Sequence, residues 1–194
     1  MFESNSTHED DGYLVTRFIR GDVDACAELY NRYIDHLFSY GQSLIGDRAL
    51  LEDAIQDVFH KILAKPTLLV GGWGGEIRNL KYYLFKMLKN KILDIKKSKY
   101  QHNTLHNLDF SLSTFTVEDV TILDDMIEEE ERDAIGAKVK QVLDTMTSRQ
   151  REAVSLRYFH NLDYEEIADL LNMTNAKSAR NLVSRAVKCK VEAI

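Results

Sequence analysis

Residues 51–63 read LEDAIQDVFHKIL, and their apolar members recur at the spacing of one helix face. Counted from Leu51, the apolar positions fall at offsets 0, 3, 4, 7, 8, 11 and 12, which follows the 3.6-residue period of an α-helix. The opposite face carries five polar or charged side chains, Asp53, Gln56, Asp57, His60 and Lys61. A helix of this kind buries its apolar face against other helices, so the stretch predicts a helical bundle.

The sequence on both sides of this stretch predicts further helices and few chain breaks. Among 194 residues there are nine glycines and one proline, Pro66. Gly21 is suited to end a first helix, and Asp22 to cap the next one. Gly46-Asp47 marks another break, and Pro66 ends the helix that contains residues 51–63. We therefore predict an all-α protein.

The C-terminal part of the chain predicts a helix-turn-helix. Thr147-Ser148 can cap one helix, and Asp163 with Glu166 has the spacing of a capping box ahead of a second. A polar break at residues 172–175 precedes a last helix, whose predicted inward residues are Ala179, Leu182, Val183, Ala186 and Val187. Two helices separated by a short turn, the second of them basic, are typical of DNA-binding proteins.

Charge is segregated along the chain, although the net charge is −6. Residues 11–100 carry 14 basic and 11 acidic side chains (+3), and residues 136–194 carry ten and seven (+3). Residues 101–135 carry one basic and ten acidic side chains (−9), and residues 1–10 add −3. Two basic parts joined by an acidic segment favour contact with nucleic acid. An ordinary solvated acidic linker is an equally good interpretation of the charges alone.

A second candidate nucleic-acid segment runs from Leu80 to Lys99, where basic and aromatic side chains alternate. Lysines neutralise phosphates, and aromatic rings can stack on unpaired bases. The candidate contact residues are Lys81, Tyr82, Lys86, Lys89, Asn90, Lys91, Lys96 and Lys97. Hydrogen bonding between helices is the alternative role for Asn90.

Several classes of protein find no support in the sequence. No apolar run reaches the roughly 20 residues of a membrane-spanning helix, and residues 1–12 do not form a secretory signal. The two cysteines, Cys26 and Cys189, lie far apart, which favours a reducing cytoplasm over a disulfide framework. The glycine-rich loop 71–75 lacks the ending of a phosphate-binding loop, and His102 with His106 lacks a third metal ligand. We predict no enzyme activity, no cofactor and no metal.

Five segments, taken in order, resemble a bacterial RNA polymerase sigma factor of the sigma-70 family, in its extracytoplasmic-function (ECF) group. They span residues 14–33, 52–59, 83–97, 146–159 and 164–186. The resemblance implies two small helical domains. Residues 10–100 would form region 2, residues 101–134 an acidic linker, and residues 135–194 the helix-turn-helix of region 4.

The resemblance also implies roles for particular residues. The polar face of residues 51–63, from Asp53 to Lys61, would bind the polymerase core, although a solvated face is the plainer interpretation. The segment from Leu80 to Lys99 would contact and melt the minus-ten DNA. The loop 66–79 would supply the pocket for a flipped minus-ten base, with Trp73 as a candidate wall. Packing over the end of the bundle is the alternative for Trp73. The residues expected at the minus-thirty-five DNA are Lys177, Ser178, Arg180, Asn181, Ser184, Arg185 and Lys188.

The predicted function is that of a transcription initiation factor that directs the polymerase core to specific promoters from the cytoplasm. An anti-sigma factor is an expected partner, and insertion into a membrane is not expected. A stand-alone helix-turn-helix regulator is the alternative, and a helical nucleic-acid-processing enzyme is a third. The turn at residues 172–177 is one residue longer than the common family pattern and lacks its glycine, which leaves the register of the last helix open by one residue.

Overall fold

The computed structural model describes residues 6–69, 79–102, 139 and 141–191. Its helices are α1 (Ser6–Ile19), α2 (Val23–Leu44), α3 (Arg48–Ala64), a 3₁₀ helix (Pro66–Leu69), α4 (Leu80–His102), α5 (Ser148–Tyr158), α6 (Tyr164–Leu170) and α7 (Ala176–Val191). Residues 141–144 are helical as well, and no strand occurs in the described ranges. The prediction of an all-α protein is confirmed.

The chain divides into two compact units, Met1–Ser111 and Leu112–Ile194. Helices α1 to α4 belong to the first unit and α5 to α7 to the second. The predicted acidic linker falls almost wholly outside the described residues, so its role and the assignment of regions to the units stay predictions.

The breaks between the first three helices occur where the sequence places them. Gly21 has a φ of +92°, a conformation that glycine adopts without a steric penalty. The Asp22 carboxylate accepts hydrogen bonds from the backbone N–H groups of Asp24 (3.0 Å) and Ala25 (3.3 Å) at the start of α2. Asp47 accepts one from Leu50 at the start of α3 (3.2 Å). Side-chain caps therefore satisfy amides that the first helical turns leave without an intrahelical partner.

The core of the first unit lies between α2, α3 and α4. Phe85 stacks on Tyr40 with ring centroids 4.5 Å apart, and both side chains are almost wholly buried. All of the apolar stripe of α3 is buried except Leu63, which is 48% exposed. Leu63 was predicted to face inward, but it lies at the margin of the stripe, since a helix turns by about 100° per residue.

The apolar spacing in α4 predicts that Tyr83, Leu84, Met87, Leu88 and Ile95 face inward, and this is right in part, since Leu84 and Leu88 are buried and Tyr83 is half-buried. Phe85 and Ile92 are buried, whereas Met87 and Ile95 are only half-buried. Nearly every turn of α4 offers apolar side chains on more than one side, so periodicity alone did not select the face that meets α2 and α3.

Helix α1 is fixed to α2 by a buried polar contact that sequence analysis did not predict. Asp11, only 7% exposed, pairs with Arg32 at 2.9 Å and accepts a hydrogen bond from the Tyr33 hydroxyl. Nearer the turn, Arg17 pairs with Asp22 at 2.7 Å. A buried carboxylate needs such partners, because water is absent there to solvate its charge.

The caps predicted for the second unit are both present. Thr147 and Gln150 form a reciprocal capping box at the start of α5. Asp163 and Glu166 form another at the start of α6, where the Asp163 carboxylate accepts two backbone hydrogen bonds of 2.8 Å. Asn172 follows α6 with a φ of +50°, so it takes the left-handed conformation for which glycine is usual.

Candidate functional site

Helices α6 and α7 with the turn 171–175 form the helix-turn-helix of the second unit. Asn175 closes the turn, because its Oδ1 accepts a hydrogen bond of 2.9 Å from the backbone N–H of Ser178. The apolar side chains that hold the two helices together are buried: Ile167, Ala168, Leu170, Leu171, Ala179, Val183 and Ala186. Leu182 and Val187, also predicted to face inward, are half-buried.

The face of α7 opposite these residues is exposed and positively charged. Its exposed members are Lys177, Arg180, Asn181, Ser184, Arg185 and Lys188. Ser178 differs from them, since it is half-buried and its hydroxyl donates to Asn175 Oδ1 at 3.2 Å. Arginine and asparagine can each form two hydrogen bonds with the edge of a guanine or an adenine, so this face has the chemistry needed to read a major groove.

The arginines of α5 have a different role. Arg149 donates to the backbone carbonyl of Leu171 at 3.0 Å, and Arg157 to that of Leu162 at 2.8 Å. Arg151 donates to the carbonyl of Leu143 at 2.9 Å. These guanidinium groups hold the turns on either side of α5 and α6 in place. The outward positive charge in the described part of this unit therefore comes mainly from α7.

Tyr164, the first residue of α6, lies close to two guanidinium groups. The Cζ atoms of Arg157 and Arg180 are 4.9 Å and 5.2 Å from the centroid of its ring. The sequence does not predict this cluster, because its members belong to three different helices and no periodic pattern connects them.

On α3, the polar face predicted to bind the polymerase is accessible. Asp53, Gln56, His60 and Lys61 are exposed. Asp57 is 50% exposed and forms an ion pair with Lys91 of α4. The hydrogen bond from Lys91 lowers the pKa of the Asp57 carboxyl below its usual value.

The candidate DNA-binding residues of α4 differ in their exposure. Asn90 and Lys97 are exposed, whereas Tyr82, Lys86, Lys89 and Lys91 are half-buried. Lys86 Nζ lies 3.3 Å from the Tyr82 hydroxyl and 5.7 Å from the centroid of its ring. A lysine and an aromatic ring are thus adjacent on this helix, as binding to an unpaired strand requires.

Two lysines of the same series make contacts inside the first unit. Lys96 Nζ donates to the carbonyl of Leu44, the last residue of α2, at 2.6 Å. Lys81 is half-buried, and burial lowers the pKa of its ammonium group while nearby Asp11 opposes that change. Their contact with DNA stays a prediction, as does the role of Trp73, which lies outside the described residues.

Helices long and apolar enough to span a membrane are absent from the part of the chain that the structure describes. The same part contains no group of three or more His, Cys, Asp or Glu side chains arranged to hold a metal ion.

Comparisons with known proteins agree with the fold. The family model described as "Sigma-70, region 4" matches residues 137–189. The ECF RNA polymerase sigma factor SigK of Mycolicibacterium vanbaalenii is 22% identical over 177 residues, which cover 90% of this chain and 86% of that protein. The ECF RNA polymerase sigma factor SigM of Bacillus subtilis is 23% identical over 159 residues, covering 77% of this chain and 83% of that protein.

A similar solved structure is the sigma factor RpoE of Bartonella quintana, crystallised with the anti-sigma factor NepR. It superposes with a TM-score of 0.52 at 19% identity and covers 84% of this chain and 91% of that one. At this identity the likeness concerns the fold.

The helical fold, the helix-turn-helix and the similarity to named sigma factors indicate a transcription initiation factor. Residues 137–189 match the model of sigma-70 region 4, and over most of its length the chain is similar to ECF RNA polymerase sigma factors.

Proposed function

We propose that this protein binds the core of a bacterial RNA polymerase in the cytoplasm and directs it to promoters with particular minus-ten and minus-thirty-five elements. The observation that carries the proposal is the outward face of α7, where Arg180, Asn181 and Arg185 are exposed on the side opposite the buried apolar stripe. A recognition helix needs this arrangement, since one side must hold it to the domain while the other enters the groove.

Binding to the polymerase core is assigned to the polar face of α3. Asp53 and Gln56 are exposed there, above an apolar face that is already buried within the unit. A helix presented in this way can dock on a partner without unfolding any part of its own domain. His60 and Lys61 continue the same face by one turn.

Contact with the minus-ten DNA is assigned to α4. Asn90 and Lys97 offer exposed polar groups, and Lys86 next to Tyr82 offers a cation beside a ring. Phosphate neutralisation and base stacking are the two interactions that stabilise a separated strand. The net charge of −6 disfavours tight unspecific binding by the chain alone.

Regulation by an anti-sigma factor is part of the proposal. The support is the solved structure of the Bartonella sigma factor, which contains the anti-sigma factor NepR. An inhibitor of this kind would act by covering the faces of α3, α4 or α7 assigned above.

The test is run-off transcription from a library of promoter fragments by purified core polymerase, with and without this protein. We expect new transcripts from a small set of promoters only when the protein is added. Unchanged transcripts would refute the proposal. Tight, sequence-specific binding of the protein alone to duplex DNA would instead favour a stand-alone regulator.

Variants connect this assay to the faces. Asp53→Ala with Gln56→Ala should weaken co-purification with core polymerase, while Asp24→Ala on α2, also exposed and acidic, is the matched control. For the DNA-binding face, Arg180→Ala should weaken the binding of holoenzyme to promoter DNA by about 1–3 kcal/mol and should relax the base preference at one position of the upstream element. If the Asp53→Ala, Gln56→Ala double variant binds core polymerase as tightly as the Asp24→Ala control, the role of α3 is contradicted.

A further inference from the structure

We infer that Tyr164 is a positioning residue that fixes the Arg180 side chain for base recognition. The inference rests on the function proposed above. Arg180 is exposed on α7, and its Cζ atom lies 5.2 Å from the centroid of the Tyr164 ring, within the range of a cation–π contact. The contact joins the first residue of α6 to the recognition helix.

A second arginine, on α5, also contacts the Tyr164 ring. Arg157, in the last turn of α5, lies 4.9 Å from the same centroid. Its guanidinium donates to the carbonyl of Leu162 at 2.8 Å, in the segment between α5 and α6. Tyr164 therefore lies between Arg157, which is hydrogen-bonded to the backbone, and Arg180, which is exposed. Successive contacts thus connect the carbonyl of Leu162 to the exposed side chain of Arg180.

A free arginine side chain has several rotatable bonds, and ordering it at an interface costs free energy. A side chain already held by a ring loses less freedom on binding, so its contact with a base becomes stronger and more selective. Arg185 and Lys188, on the same face of α7, have no comparable ring contact among the described residues. The structure thus distinguishes Arg180 as the preorganised reader.

The experiment uses holoenzyme assembled from core polymerase and the full chain. Templates carry a randomised upstream element and a fixed minus-ten element, and transcripts are counted by sequencing. The variants are Tyr164→Phe, Tyr164→Leu, Arg180→Ala and the double variant Tyr164→Leu with Arg180→Ala. Tyr158→Leu is the matched control, because Tyr158 is a 61% exposed tyrosine at the end of α5 without this contact to Arg180.

We expect Tyr164→Leu to reduce, by about two- to fivefold, the preference at the base position whose preference Arg180→Ala abolishes. Tyr164→Phe keeps the ring and should match the wild type, as should Tyr158→Leu. The double variant should be no worse than Arg180→Ala alone, because the ring acts through that arginine.

Three patterns of loss would overturn the inference. These are an equal loss on all templates with Tyr164→Leu, additive losses in the double variant, or a loss with Tyr164→Phe as large as with Tyr164→Leu. Thermal unfolding checks the fold, and Tyr164→Met replaces Tyr164→Leu if the latter unfolds. If wild-type holoenzyme shows no promoter selection, the proposed function fails; if it selects normally and the Tyr164 variants behave as wild type, only this inference fails.

Discussion

Asp57 of α3 and Lys91 of α4 form an ion pair that joins the two helices on the surface of the first unit. From the sequence, Asp57 is expected to contact the polymerase core and Lys91 the minus-ten DNA. The structure pairs them. A substitution of either residue therefore removes the ion-pair partner of a residue assigned to the other proposed interface.

Asp57→Asn should lower the free energy of unfolding at pH 7 by less than about 1 kcal/mol, since both side chains are partly exposed. Lys91 holds the pKa of Asp57 below its usual value of 3.8. The stabilisation is therefore present above about pH 4 and is lost as the pH falls through the lowered pKa. Urea unfolding at pH 7 and near pH 3 measures this, with exposed Asp53→Asn as the control. If the difference in unfolding free energy between wild type and Asp57→Asn is as large near pH 3 as at pH 7, the role of the ion pair is contradicted.

Lys96 and Lys97 are adjacent, yet we expect substitutions there to have different effects. Lys97→Ala should weaken holoenzyme binding to promoter DNA. It should also reduce, by about one, the slope of the logarithm of the binding constant against the logarithm of the salt concentration. Lys96→Ala should have a smaller effect on DNA but destabilise the first unit by about 1 kcal/mol, because it removes a cation from the carbonyl end of α2. Promoter binding at several salt concentrations and urea unfolding separate the two; equal salt slopes would show that Lys96 also contacts phosphate.

Gly41→Ala should destabilise the first unit, although alanine is the better helix former. Gly41 is buried in α2, and a Cβ there would overlap Cδ1 of Leu51 on α3. Overpacking of this kind costs about 1–3 kcal/mol. Adding Leu51→Val should recover part of the loss, since it removes the overlapping methyl group. Gly12→Ala in α1, where a Cβ would meet nothing within 4 Å, is the control and should not destabilise.

Asp163→Ala should lower the free energy of unfolding by about 1 kcal/mol through loss of the α6 cap. Asp163→Ser preserves a capping oxygen and should recover most of that stability. Chemical unfolding followed by circular dichroism gives both values. If serine proves no better than alanine, the carboxylate has a role other than capping.

Asn172→Gly should be tolerated, because the residue has a φ of +50°. Asn172→Val should cost about 1–2 kcal/mol, since a branched side chain is strained in the left-handed region. The same unfolding measurement tests both. A valine variant as stable as the glycine variant would show that the turn can adopt another conformation.

Much of the fold follows from short-range signals in the sequence. The caps Asp22, Asp47, Thr147 and Asp163 and the stop at Gly21 each involve residues within a few positions of one another. The stripe from Leu51 to Ile62 is buried as predicted. The outward face of α7 was also predictable, because a single periodic pattern on one helix separates it from the buried face.

The sequence by itself determined the all-α class, the helix ends and which side of α3 and α7 faces outward, because capping and the 3.6-residue period act within one segment of chain. The tertiary structure decided which side of α4 is buried, the pairing of Asp57 with Lys91, the contact of Lys96 with Leu44 and the cluster of Arg157, Tyr164 and Arg180. Each of these depends on the distance between helices that are separate in the sequence. That distance is set by how their side chains pack, and no local pattern contains it.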